Sequence, residues 1–213
     1  EEDRSQARQR NLDYDTYESV NHFKIGLNWD KSWTDKVILS TYGFYSFRDF
    51  YGKLPFENGG IIDLKRNYFG LGSRLNYKIG KNNLPVAAEL LEQSDQRDRY
   101  LNILGSQGSI SFSQKEKFQN YSFSILDELK LEELFFRLSL RYDDMHLGTD
   151  GFSQDQSYKV INPSLGVSLV LTPYQHLYAN FSTSFETPAL SELSANPQGT
   201  EGFNFCLLYT SPS

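Results

Sequence analysis

The chain has 213 residues and a formal net charge of −6, so it carries no basic footprint for nucleic acid. Hydrophobic residues make up 38% and mean hydropathy is −0.53, low for a globular core, while aromatics reach 15%, too many for a disordered chain. One cysteine, Cys206, allows neither an internal disulfide nor a zinc pattern, no run of ~18 apolar residues makes a membrane helix, and the opening EEDRSQARQR is no signal peptide.

What remains is sheet, and the periodicity agrees. In chain order, strands are predicted over 17–29, 35–48, 66–79, 84–103, 115–130, 134–147, 157–172 and 175–185. In the first, Phe23, Ile25, Leu27 and Trp29 alternate with Lys24, Gly26 and Asn28. In the third, Phe69, Leu71, Leu75, Tyr77 and Ile79 share a face with Ser73, against Gly70, Gly72, Arg74, Asn76 and Lys78. In the sixth, Leu134, Phe136, Leu138, Leu140 and Tyr142 oppose Phe135, Arg137, Ser139, Arg141 and Asp143. The seventh sets Leu165, Val167, Leu169 and Leu171 against Ser164, Gly166 and Ser168. The eighth sets Leu177, Ala179, Phe181, Thr183 and Phe185 against Tyr178, Asn180, Ser182 and Ser184. A period of two is the mark of a strand with unlike faces. Many of these runs reach about 13 residues or more. Soluble strands average ~5–6 residues, and a tilted membrane-spanning strand needs ~9–11. Length favours a membrane barrel over a soluble sandwich.

Connections alternate between short and long. DKSWT, GKNN, LEE and PYQ are short; FYGKLPFENGGIIDLK after Asp49, GSQGSISFSQ after Leu104 and GTDGFSQDQ after Leu147 are long. Outer-membrane barrels have tight periplasmic turns on one side and long extracellular loops on the other. The ends near Trp33, Asn82, Glu132 and Tyr174 are therefore expected on the periplasmic side, and Asn58, Gly108 and Gly151 outside. Trp29 and Trp33 flank the first short turn, and Tyr42, Phe44, Tyr45, Phe47, Phe50 and Tyr51 crowd the end of strand two. They read as headgroup-level girdles, the alternative being ordinary cross-strand packing. Pro188, which lacks a ladder donor, is expected to end the eighth strand just after Phe185.

Catalytic signals are absent. His22, His146 and His176 lie on different strands, and no Ser/His/Asp order, HExxH or P-loop occurs. Asp143 and Asp144 beside His146 could be metal ligands, but the pattern fits a strand end entering a solvated loop better. The glycines of FGLGSR (69–74) lie within a strand with no following helix, so they mark bends or close packing rather than a nucleotide loop. No enzyme activity, cofactor or metal site is expected.

The stretch LYANFSTSFETPALSEL (177–193) resembles a segment near the C-terminal end of the barrel domain of TonB-dependent outer-membrane receptors, and Gly202, Phe203 and Asn204 resemble the start of its continuation. LLEQSDQRDRYLN (90–102), FSILDELKL (123–131), LSLRYDD (138–144) and INPSLGVSLVLTP (161–173) resemble further segments in the family's order, covering roughly 15–204. The resemblance implies an all-β, antiparallel up-and-down transmembrane barrel fragment, about eight long strands of a larger barrel. It implies residence in the outer membrane of a Gram-negative bacterium, in contact with its lipid. It further implies uptake of a ferric siderophore, vitamin B12 or another scarce nutrient, energised through the TonB complex by N-terminal regions that are not visible here. Arg48, Tyr51, Arg66 and Tyr68, where strands two and three meet a long loop, are the candidate ligand contacts, since anionic chelates favour Arg and aromatic surfaces. Arg137 and Arg141 are expected to face the lumen and pair with neighbouring charges, the alternative being plug carboxylates or an anionic ligand. Family members have about 22 strands and a plug, so the chain is expected to be truncated at both ends, with 1–204 a partial barrel domain. The tail FCLLYTSPS (205–213) fits neither family nor strand pattern and resembles a translated sequencing adapter. Two other readings stand beside this one: a small complete outer-membrane barrel with a structural or adhesive role, and a soluble β-sandwich binding module.

Overall fold

The computed structural model describes residues 9–150, 152–193 and Phe203. A short helix α1 (Gln9–Asp13) precedes eight strands: β1 (Tyr17–Thr34), β2 (Val37–Lys53), β3 (Ile61–Ile79), β4 (Asn82–Ile103), β5 (Ser106–Leu131), β6 (Leu134–Thr149), β7 (Phe152–Thr172) and β8 (Gln175–Ser182); a helical turn α2 (Leu190–Leu193) follows. The strands form one sheet in the order β1-β2-β3-β4-β5-β6-β7-β8, every neighbouring pair antiparallel. This is the up-and-down arrangement of a barrel wall, open between β1 and β8. A complete eight-stranded barrel would join those two strands, and a sandwich would show two sheets.

At one end of the sheet all four connections are two-residue turns, at 35–36, 80–81, 132–133 and 173–174. Gly80 (φ 58°) and Glu132 (φ 29°) supply the left-handed backbone that tight hairpins need. The opposite end differs from the sequence reading. GSQGSISFSQ is mostly strand, closed by a turn at Leu104 (φ 46°) and Gly105 (φ 89°). GTDGFSQDQ also becomes strand, with β6 running to Thr149 and β7 starting at Phe152. Among the described residues, the connection after β2 is the loop at this end, and it shrinks to residues 54–60. Apart from Ile110 and Phe112, which alternate with serines, these stretches are polar on both faces, so they show too little apolar alternation to read, yet hairpin pairing carries the ladder through them. The asymmetry survives as strand ends that project well past the apolar band on one side. The predicted outward position 151 lies outside the described residues.

The inside-out distribution of side chains defines the fold class. Leu27 is 79% exposed, Phe181 65% and Leu138 58%, whereas Asp95 and Glu116 are 0% exposed. A soluble sheet does the reverse. The predicted apolar faces of β1, β3, β6, β7 and β8 lie on one side of this sheet, the side a barrel turns to lipid, and Arg48, Arg66, Asp95, Arg97, Glu116, Arg137 and Arg141 line the other. The aromatics of β2 divide between the two. Register puts Tyr45, Phe47 and Tyr51 on the apolar side, but Tyr42, Phe44 and Phe50 on the polar side, so only half of that group has girdle geometry.

The strand β8 ends at Ser182, three residues earlier than expected, and Pro188 is not the cause. The pairing Ser164↔Ser182 places Thr183 opposite Pro163. Thr183 N donates to Pro163 O at 3.1 Å, and proline has no N–H to return the bond. The ladder fails there and the chain turns away.

Candidate functional site

Five registers carry a single row across the polar face: His22↔Arg48↔Arg66↔Asp95↔Glu116↔Thr149. Arg66 donates to both oxygens of Asp95, Nε at 2.9 Å and Nη2 at 2.6 Å, with Gln93 Nε2 at 3.2 Å. One step further along β4, Arg97 forks onto Glu116, at 2.9 and 3.2 Å, and Gln114 Nε2 adds a bond at 3.2 Å. Both carboxylates are wholly buried and fully bonded, the condition under which a buried ion pair is tolerated. Arg48 is different. Its guanidinium lies 5.8 Å from the Phe50 ring centre, its Nε is shielded from solvent, and that Nε has no acceptor.

Toward the two-residue turns, the Tyr68 ring meets Phe44 edge-on at 5.2 Å. The Tyr42 hydroxyl donates to Glu89, and Gly72, between them in register, is where any Cβ would strike the Tyr42 ring. Arg141 pairs with Asp143 at 2.9 Å and reaches Glu89 at 3.8 Å. Arg137 pairs with Glu128 at 2.7 Å, and Ser139 meets Ser164 at 2.6 Å. Both arginines thus pair with carboxylates on the polar face.

Of the candidate contacts, Arg48, Arg66 and Tyr68 come together on this face. Tyr51 stands on the other, where its hydroxyl donates to Gln107 Oε1 at 3.2 Å and its ring lies 5.9 Å from Tyr17. Asp143, Asp144 and His146 do not converge: Asp143 faces inward, while His146 Nε2 and Asp144 Oδ1, 3.0 Å apart, lie on the outer face. Sequence reading missed Asp95, Arg97, Glu116 and the Tyr42–Glu89 pair. The signal was available in QSDQRDR (93–99), where Gln93, Asp95, Arg97 and Arg99 fall on alternate positions.

Two further assemblies organise the projecting end. Asn102, 0% exposed, donates to Tyr14 O (3.1 Å) and Leu54 O (2.9 Å) and accepts from Gly105 N (2.8 Å), tying three chain segments together. Lys53 adds bonds to Asp15 and to Gly105 O, both 2.7 Å. Asp150, in the turn after β6, is held below the ordinary carboxylate value by the hydrogen bond from Lys117. The second assembly explains SFETPALSEL. Phe118, Leu147 and Tyr158 form an apolar island on the polar face, and the chain beyond β8 covers it. Leu190, Leu193 and Phe203 pack on Leu147, and Phe185 meets Tyr158 at 5.4 Å. The segment after β8 thus folds back over the wall as far as residue 193. The positions 194–202 and 204–213, including Gly202, Asn204 and the tail, lie outside the described residues.

A curved antiparallel arc with an apolar exterior, a charge-lined interior and long projecting hairpins on one side is part of a transmembrane β-barrel. Residues 2–206 match the family described as TonB dependent receptor-like, beta-barrel, and the chain belongs to it. Solved structures share the fold. The ferric citrate transporter FecA in its unliganded form has a TM-score of 0.68 at 20% identity, over 78% of this chain and 27% of that one. The copper transporter OprC has a TM-score of 0.63 at 15% identity, over 85% and 33%. The siderophore receptor PiuA from Acinetobacter baumannii has a TM-score of 0.61 at 10% identity, over 78% and 32%. The chain thus spans about a third of the length of these proteins.

Proposed function

We propose that this chain is a wall segment of an outer-membrane receptor of a Gram-negative bacterium that takes up a scarce nutrient, a ferric siderophore or a comparable ligand such as vitamin B12, with energy delivered through TonB. Its partners are outer-membrane lipid on the apolar face, the ligand on the polar face, and the TonB complex through other parts of the receptor. It performs no covalent chemistry. Residues 1–204 act as barrel domain and 205–213 lie outside it. Arg48, Arg66 and Tyr68 contact ligand from the wall, and Tyr51 braces the rim.

One observation carries the reading: a continuous sheet whose large apolar side chains face outward while arginines and carboxylates pair on its inner side. Membrane family, fold neighbours that include iron and copper transporters, and an inner wall studded with guanidinium groups all support it. The test is whole-cell uptake with the full-length receptor expressed in a strain lacking its own receptors. Uptake of a ferric siderophore, ferric citrate or cyanocobalamin should require both this protein and a functional TonB. Uptake independent of TonB, or none across that panel, contradicts the proposal.

A further inference from the structure

Face periodicity leaves one ambiguity in a barrel wall. Slipping a strand by a single residue turns its apolar side chains inward, but a slip of two keeps both faces intact. A tight hairpin removes the ambiguity, because its turn fixes the register. Two-residue turns lie at 35–36, 80–81, 104–105, 132–133 and 173–174. β2 and β3 are joined instead by residues 54–60, and a loop that gains or loses two residues closes at nearly the same cost. Yet β2 pairs with β3 in one unbroken register, from Val37↔Tyr77 to Lys53↔Ile61. An error at this joint would displace β3 and the strands chained to it by two residues against β1 and β2. That would change the stagger on which barrel closure depends.

The pair carries features that tell these registers apart, all within rows 41–44. On the polar face Tyr42 stands directly opposite Gly72, and Phe44 opposite Gly70. A Cβ on Gly72 would lie 2.5 Å from Tyr42 Cζ, and one on Gly70 2.5 Å from Phe44 Cζ, so each ring occupies the space a side chain of β3 would need. Neither glycine has a positive φ, so the backbone does not call for glycine there, and glycine weakens a strand interior. The Tyr42 side chain continues across β3 to Glu89 on β4. On the apolar face Thr41 stands opposite Ser73, and their hydroxyls share a hydrogen bond at 3.1 Å.

Only the native register gives both rings a glycine. A slip in one direction sets Tyr42 on Gly70, in line with Leu91 instead of Glu89, and Phe44 on Tyr68. A slip in the other sets Tyr42 on Arg74. Thr41 then faces Leu71 or Leu75, and its hydroxyl loses its partner toward hydrocarbon, where an unpaired hydroxyl is costly.

We infer that Gly70 and Gly72, the two rings they seat and the Thr41–Ser73 pair form a register key, which selects how β2 docks on β3 as the wall assembles. The key acts on assembly, so it holds whatever ligand the receptor carries.

The test refolds the full-length receptor from urea into phospholipid vesicles and reads register by oxidising cysteine pairs placed outside the key. L39C with L75C reports the native pairing; V37C with L75C and L39C with Y77C report the two slips. In the parent the slipped pairs should link at less than about a tenth of the native yield. Y42A/F44A, which removes the rings without overlap, and G70A/G72A, which fills their sockets, should each raise the slipped yields about fivefold or more. Y68G/G72A, which moves the sockets by two residues, should favour V37C with L75C over L39C with Y77C. Slipped yields unchanged in Y42A/F44A overturn the key. So does a G70A/G72A receptor that folds less but links only the native pair, which leaves the glycines a packing role alone. Equal yields of the two slips in Y68G/G72A overturn it as well.

Discussion

The side of the sheet that meets lipid can be tested by one arginine placed in two directions. On β6 the apolar band runs from Leu134 to the first outer-face carboxylate, Asp144. Ten residues at ~3.3 Å rise and ~40° tilt climb about 25 Å, the height of a barrel's apolar belt. Leu140, six residues along, lies about 15 Å up and near the midplane. Its register partners are Ile125 and Pro163, so an arginine there finds no carboxylate beside it in the ladder. Leu138 is the weaker choice, because Asp127 sits opposite it. An arginine at the midplane of a barrel's lipid face costs ~2–4 kcal/mol, a factor of about 30 to 900 in the folded population. Ser139, which faces Ser164 on the polar side, should accept arginine for less than about 1 kcal/mol, as on a hydrated surface. The assay is urea titration of the full-length receptor folded into phospholipid vesicles. Equal losses for Leu140→Arg and Ser139→Arg would refute the reasoning, because no lipid-facing side would then exist.

Cysteine replacing Asn58 or Leu104, both exposed at the projecting end, should react with an impermeant maleimide on intact cells, whereas cysteine at Tyr174, 95% exposed in a two-residue turn, should react only after the outer membrane is breached; the opposite pattern reverses the topology. Leu193→Ala, at a side chain 1% exposed, should cost about 2–4 kcal/mol of local packing and speed proteolysis between Thr183 and Ala189, and unchanged cleavage would mean the fold-back is not anchored there. Glu116→Gln should be more damaging than the double replacement Arg97→Met with Glu116→Leu, because a lone buried arginine costs ~3–5 kcal/mol while a removed pair is often neutral; denaturant midpoints in the reverse order would count against a buried pair. Asn102→Ala removes three bonds at once and should raise hydrogen exchange at Gly105 and around Tyr14, with exchange unaltered if the clamp is unimportant.

The strands were legible where their two faces differ chemically. Phe23 to Trp29 and Leu134 to Tyr142 display their period because lipid demands one kind of side chain and the interior another. Where β5, β6 and β7 rise past the belt, the contrast shrinks to Ile110 and Phe112 or vanishes, and hairpin ends read as loops. The end of β8 was misassigned for another reason: the residue that stops it is Pro163 on the neighbouring strand, and cross-strand register is not written in the local sequence. The site was legible in part. Arg48, Arg66 and Tyr68 were picked out by position along their strands and do share a face, but Tyr51 is an odd-numbered residue of a strand whose even-numbered side chains point inward. The partners that decide the chemistry, Asp95 and Glu116, come from strands far along the chain, and only pairing brings them beside Arg66 and Arg97.

The central claim, that this sheet divides lipid from a wet interior, is tested most directly by nitroxide scanning of positions 134–143 in the reconstituted full-length receptor. Collision rates with oxygen and with a water-soluble nickel chelate should alternate out of phase, with oxygen highest at Leu138, Leu140 and Tyr142 and nickel highest at Ser139 and Arg141. A profile without a period of two, or one in which nickel reaches both faces equally, would contradict the account.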